Sequence, residues 1–505
     1  MHPMKKLLVI ILSLTLGGAA NAALPQPDLL AQIHFAGAQK ISADANAAAF
    51  TNEFCSAEAL ALRAQTAGKL SVWLAGWLQK NTGVNVADGP AKLRPLLDDL
   101  QQAEWFLEAR MAANGKPEVA LAVHLADGQA QLWRANLQPF LPGATFKNAG
   151  GWLVIDDGPA APQLGDRLAQ KISVPPVGWL AVDLNWSRLA QWWPQVKTFD
   201  LPETQFTVTA ADANLHFDGK LLFPENLSLA LEPWRVPTNS LRQPFVSLTA
   251  VRGFASWWQQ RPWAQAYQIS PVPNQLFVWG LPQVPYQTFA ALPVPSASNA
   301  LQQAYARLKP QFEPGATNPF LMPLTLTLTN READLQGAPF VAPFLEAKTE
   351  RAGQFLLAGA FPNTPGFAPL PAELLNRLAD KNLVFYHWEI TAERMPQVLH
   401  LAQLSLMLTS RKQLDAESAA GKWVNLITPK FGNTVTEIKQ TGPAEMSFTR
   451  QAPGGLTAFE FFALASWLEA NNFPGFDLKQ PTRGPRMKHP QPKPPGALPA
   501  PAPAH

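Results

Sequence analysis

The chain has 505 residues, 47% hydrophobic, 10% aromatic and 15% charged, with a formal net charge of +3. These proportions exclude a disordered chain, a collagen and a long coiled coil, and one cysteine, Cys55, excludes a disulfide scaffold. Proline is abundant, at 49 residues, against a usual share of ~5%.

The N-terminus reads as a secretory leader over residues 1–22. Lys5 and Lys6 precede an apolar run over 7–16, and Ala20-Asn21-Ala22 fits a small-x-small cleavage site. Cleavage near Ala22 would put the mature protein in the periplasm or outside the cell. The run is shorter than the ~20 residues that span a bilayer, and no later stretch is as long without polar or proline breaks. No transmembrane span is therefore expected. Without the leader lysines and Arg483, Arg486, Lys488 and Lys493 of the tail, the body over 23–480 carries about −3. That balance argues against nucleic acid as the main partner, because phosphate binding needs a concentrated basic surface.

The body then divides into predicted elements. Alanine density and apolar residues at Leu60, Ala64, Ala67, Leu70, Leu74 and Leu78 predict a helix over 42–80. A short helix follows over 91–102. Strands over 104–111 and 118–125 flank Asn114-Gly115, a hairpin signal. Strands are expected over 129–137 and 152–155, and a helix over 162–172. A buried strand over 178–184 leads to a helix over 187–193. Strands over 205–210 and 213–217 follow, with Asp218-Gly219 as a turn into 220–223. Cys55 reads as a small buried residue among Phe54, Leu60 and Leu62.

The second half repeats this plan. Strands are expected over 245–251, 324–328 and 354–361, with helices over 253–260, 299–308 and 371–379. The strand 383–390 runs into a helix over 395–408, much as 178–184 runs into 187–193. A hairpin over 434–439 and 445–450 precedes a helix over 458–470. Runs of strands and helices point to α+β with antiparallel sheets and packed helices, possibly two duplicated halves, rather than a doubly wound sheet. The expected units are the leader at 1–22, halves over 23–240 and 241–480, and a proline-rich basic tail over 481–505. The tail composition suits an extended, disordered spacer or a grip on an anionic wall polymer.

The segments Leu29-Leu30-Ala31-Gln32-Ile33-His34-Phe35-Ala36-Gly37 and Asn46-Ala47-Ala48-Ala49-Phe50 resemble the start of a group of secreted bacterial α+β envelope proteins with no assigned function. The resemblance implies export and an envelope role, and carries no functional residues.

Catalytic signatures are missing from the sequence. There is no Gly-x-Ser-x-Gly, no His-Glu-x-x-His, no phosphate loop, no Gly-x-Gly-x-x-Gly and no calcium loop. No cofactor or metal is expected. His387 and Glu389 alternate on a predicted strand, with Glu393 soon after, and share one face. They could bind a metal or serve as acid and base, but read more simply as a solvent-facing row opposite an apolar side. Asp98-Asp99 and Asp156-Asp157 are adjacent acids, and adjacent residues do not converge on one glycosidic bond. The 17 tryptophans cluster at Trp192-Trp193 and at Trp257-Trp258 with Trp263 and Tyr267. Such patches mark a ligand groove, an interface or packed layers. The leading expectation is an exported, non-enzymatic protein acting by binding or assembly, with an envelope protein or wall polymer as partner. The alternatives are a wall-polymer enzyme whose carboxylates assemble in the fold, and a carrier of an apolar ligand in a Trp-lined cavity.

Overall fold

The computed structural model describes residues 28–475 apart from 49, 51–53, 113–114, 116, 158–160, 173–177, 193–200, 262–268, 283–286, 314–323, 338–340, 362–367 and 410–413. Of 81, 161–163, 192 and 402–409 it describes the backbone alone. The expected leader, the expected tail and Asn114 lie outside the described residues.

The first half opens with β1 (Leu29–Phe35), α1 (Ala38–Ser42), α2 (Ala57–Thr82) and α3 (Gly89–Gln102). It continues with β2 (Trp105–Met111), β3 (Pro117–His124), α4 (Gln129–Leu137), β4 (Thr145–Ala149), β5 (Trp152–Asp157) and α5 (Ala161–Lys171). It closes with β6 (Leu180–Leu184), α6 (Trp186–Trp192), β7 (Glu203–Ala211) and β8 (Asn214–Leu222). The second half runs β9 (Ser247–Arg252), α7 (Ala255–Gln259), β10 (Gln275–Gly280), β11 (Thr288–Val294), α8 (Ala297–Leu308), β12 (Thr325–Leu328), β13 (Glu332–Gln336), β14 (Phe344–Glu350), β15 (Gly353–Gly359) and α9 (Ala372–Leu378). It ends with β16 (Leu383–Ile390), α10 (Thr391–Thr409), α11 (Ala419–Ile427), β17 (Asn433–Gly442), β18 (Glu445–Ala452) and α12 (Ala458–Glu469).

The protein is α+β, and the strands form one antiparallel sheet rather than one per half. The first half is ordered β4-β5-β3-β2-β1-β6-β7-β8. From its far edge, the second is ordered β12-β13-β14-β15-β11-β10-β9-β16-β17-β18. The order recurs: β1 lies between β2 and β6, as β9 lies between β10 and β16, and β12–β13 is an addition. The last strands of each half join the two, with Phe448 opposite Gly219 and Thr449 opposite Asp218.

α2 fastens the halves from one face. Ser56 caps it, accepting from Ala59 N, and Gly83 ends it at φ 73°. Its first turns place Ala59 and Leu62 among Met395, Trp423 and Phe461 of the second half, while Leu70, Leu74 and Leu78 pack on β1, β2 and β6. The fourfold and threefold spacing of these residues puts them on one stripe. α5 and α9 cover the opposite face.

Four expectations change. The helix expected over 42–80 starts only at Ala57, after the Ser56 cap. Residues 129–137 form helix α4, because Trp133 and Leu137, one turn apart, are the buried pair. Asp218-Gly219 lies within β8, and the hairpin turn falls at Asp212-Ala213, both left-handed at φ 50° and 56°. Cys55 is exposed, just ahead of the α2 cap, and not buried.

Candidate functional site

In the β1–β6 pair, Ala31 lies opposite Leu184 and Ile33 opposite Val182. All four are buried in the core beneath the helices of the first half. In β9–β16, Ser247 lies opposite Glu389 and Thr249 opposite His387. Here the covered face is polar, and all four residues line a cavity of about 1300 Å³ between the sheet and α10 and α12. The His387–Glu389 row is therefore roofed by helices and does not face solvent. Glu393 is exposed on α10 and does not line this cavity.

The polar groups are ordered by their bonds. Thr249 Oγ1 lies 2.8 Å from His387 Nδ1. His387 Nε2 stands 3.3 Å from Glu389 Oε2 but out of line for a hydrogen bond, and it has no other partner. A bare nitrogen lone pair facing a carboxylate would be repelled. Nε2 therefore carries the proton, and Nδ1 shares a hydrogen bond with the Thr249 hydroxyl. Glu389 Oε1 accepts from Thr391 Oγ1 at 3.0 Å and from Ala458 N at 2.7 Å. Thr391 and Thr434 hydroxyls are 2.8 Å apart. The Thr391 proton is committed to Glu389, so Thr434 is the donor.

Glu389 thus meets an otherwise unpaired amide in the first turn of α12 and ties that helix to the sheet. A second tie lies beside it. Thr457 and Glu460 form a capping box, and Glu460 takes two bonds from Arg450 on β18, at 2.8 and 3.0 Å. Burial opposes the charge on Glu460, but Arg450 and the bonds from Thr457 outweigh it and hold the carboxyl below its usual range. Arg394 of α10 donates to Thr288 Oγ1 at 3.3 Å and to Gln397. It lies over Gly280, where a Cβ would stand 2.6 Å from its Nη1. Burial lowers its pKa, and the charge of Glu389 pushes the other way.

Val278, Val398, Leu414 and Phe462 supply apolar wall, and Asp415, Ser418, Ser466, Glu469, Asn471 and Asn472 supply polar wall. Leu401 and Phe459 also line the cavity while being 37% and 68% exposed, which marks its mouth. The chamber is amphipathic, with hydrogen-bonding groups on the strands and a mixture of apolar and polar side chains on the helices.

The other sequence candidates do not join it. Trp257 is exposed, 6.5 Å from Trp258 between ring centres, with Arg261 over its ring. The Trp192 side chain, Trp193, Trp263 and Tyr267 lie outside the described residues. No described tryptophan lines this cavity, so the picture of a Trp-lined chamber does not apply to it. Asp98 pairs with Arg94, and Asp99 accepts from Trp133 Nε1 at 2.8 Å. Asp156 is buried on β5, where desolvation raises its pKa to about 6. Desolvation, with Glu203 nearby, does the same to Asp183 on β6. Among the described residues no group of three or more His, Cys, Asp or Glu side chains could hold a metal ion. No described helix is long and apolar enough to cross a membrane.

Sequence reading picked out His387 and Glu389 but missed Thr249, Arg394, Arg450 and Glu460. Only the last had a legible signal, the Thr-x-x-Glu box ahead of α12.

No family model matches the chain, and no curated protein does. Among solved structures, the chain has a faint likeness to the di-domain ARO/CYC StfQ of the steffimycin biosynthetic pathway. The identity is 11% over 61% of this chain and 82% of that one, with a TM-score of 0.07, which carries no structural argument.

Proposed function

We infer that this is an exported protein of the cell envelope that acts by binding, and that it takes an amphipathic small molecule into the cavity under α10 and α12. Export rests on the leader-like segment over 1–22. Binding rests on one observation: the strand pair that is closed and apolar in the first half, Ala31, Ile33, Val182 and Leu184, is polar and open in the second, at Ser247, Thr249, His387 and Glu389. Packing alone would favour the apolar version, since buried polar groups need partners. A concave chamber of mixed apolar and polar lining, with polar groups converging on the strands, suits a small amphipathic ligand. The recurring strand order supports an internally repeated origin, in which one copy kept a solid core and the other opened a site. Titration with the neutral probe N-phenyl-1-naphthylamine tests the binding reading. Saturable binding to one site, lost in Val398→Trp at unchanged Tm, is expected. Non-saturable uptake, or full binding by that variant, would overturn it.

A second reading has one observation in its favour. Thr249, His387 and Glu389 stand in the order hydroxyl, imidazole, carboxylate, the sequence of groups that activates a nucleophile. Hydrolysis of a nitrophenyl ester, lost in both Thr249→Val and His387→Gln, would support it. Equal rates in all three proteins would remove it.

A further inference from the structure

Resting on the binding reading, we propose that the ligand's buried end is an alcohol hydroxyl, held between Glu389 Oε2 and His387 Nε2. These two atoms are 3.3 Å apart and misaligned with each other. Oε2 needs a donor, and Nε2–H needs an acceptor. Glu389 Oε1 is already satisfied by Thr391 and Ala458, so Oε2 is the open acceptor. His387 Nε2 is buried without a hydrogen-bond partner. A hydroxyl is the smallest group that donates to one and accepts from the other at once. A third lining group, the Ser466 hydroxyl on α12, is also buried without a partner and offers a further bond to a diol or polyol.

The surrounding charges exclude the obvious competitors. A carboxylate head would meet Glu389 head-on, with Asp415, Glu460 and Glu469 also on the lining. The two arginines of the lining are engaged elsewhere, Arg450 by Glu460 and Arg394 by Thr288 and Gln397. An ammonium head would suit Glu389 but has no lone pair to accept from His387 Nε2–H. A neutral hydroxyl meets neither obstacle. The apolar lining residues Val398, Leu401 and Phe459 then hold an alkyl or ring body directed toward the mouth.

The test is a set of three ten-carbon amphiphiles that differ only in the head: decan-1-ol, decanoate and decylamine. Each displaces N-phenyl-1-naphthylamine from the full chain. Decan-1-ol is expected to bind at least tenfold tighter than the other two, and Glu389→Gln and His387→Gln should each cut that preference severalfold while thermal unfolding shows both folded. Equal affinities for all three heads, or a preference for decanoate or decylamine, would overturn the hydroxyl assignment and leave the binding reading standing. Failure of all three to displace a saturably bound probe would also refute the assignment. Absence of saturable probe binding would refute the binding reading itself.

Discussion

The hydroxyl of Thr249 on β9 and Nδ1 of His387 on β16 share a hydrogen bond across 2.8 Å. That bond fixes which ring nitrogen faces Glu389, so a residue of one strand sets the chemistry of its neighbour. Thr249→Val keeps the shape and removes the hydrogen-bond partner of Nδ1. The expected result is a loss of about 1 kcal/mol in stability and a severalfold weaker hold on decan-1-ol. Chemical denaturation and probe displacement measure the two, and unchanged affinity would show that the ring orientation does not matter to binding.

Glu460 links Arg450, Thr457 and α12. Thr457→Ala should cost about 1 kcal/mol through loss of the cap. The carboxyl of Glu460 lies below its usual range in the folded protein. Its contribution is therefore present above the unfolded pKa and lost as pH falls through the folded one. Arg450→Met should remove most of that acid-side slope in urea titrations run at successive pH values.

Asp183 behaves in the opposite sense. Its folded pKa is raised to about 6 from 3.8, so the folded state binds a proton the unfolded state has released. Stability from this group declines as pH rises between those two values and stays low above them. Asp183→Asn should stabilise the protein at pH 7.5 and flatten the decline. A variant less stable than the parent at pH 7.5 would contradict the direction. Asp156, raised to about 6 by burial, adds to the same trend.

One sheet and one shared helix should make the halves unfold together. Calorimetry is expected to show a single transition. Leu62→Ala, which opens a gap where α2 meets Met395 and Phe461, should lower that whole transition by a loss of about 2–5 kcal/mol. Two separate transitions, with only one displaced, would show that the halves are independent.

Cys55 is exposed. One equivalent of thiol should therefore react with a maleimide in the native protein, without denaturant and without a change in Tm. A thiol released only by denaturant would place it in the interior.

The legible parts of the fold were those with a local cause. The β2–β3 hairpin and much of α2 follow from alternation and from threefold and fourfold spacing. Residues 129–137 misled because Leu132 and Trp133 sit side by side, and only packing shows that Trp133 and Leu137 face inward together. Asp218-Gly219 has better turn residues than Asp212-Ala213, yet the β7–β8 register places the turn at the latter. The strand carrying His387 and Glu389 was readable, and so was their shared face. Their roof was not, because it comes from α10 and from α12, whose first turn lies about seventy residues on from Glu389. Arg394 and Arg450 gave no signal, since each gains meaning only from a partner brought in by the sheet.

The most direct measurement is hydrogen exchange of the full chain with and without decan-1-ol. Slower exchange at 383–390 on β16 and 458–469 on α12, with 180–184 on β6 unchanged, is the expected result. Identical exchange in all three segments at saturating decan-1-ol, or protection centred on the first half, would contradict a ligand site between Glu389 and His387.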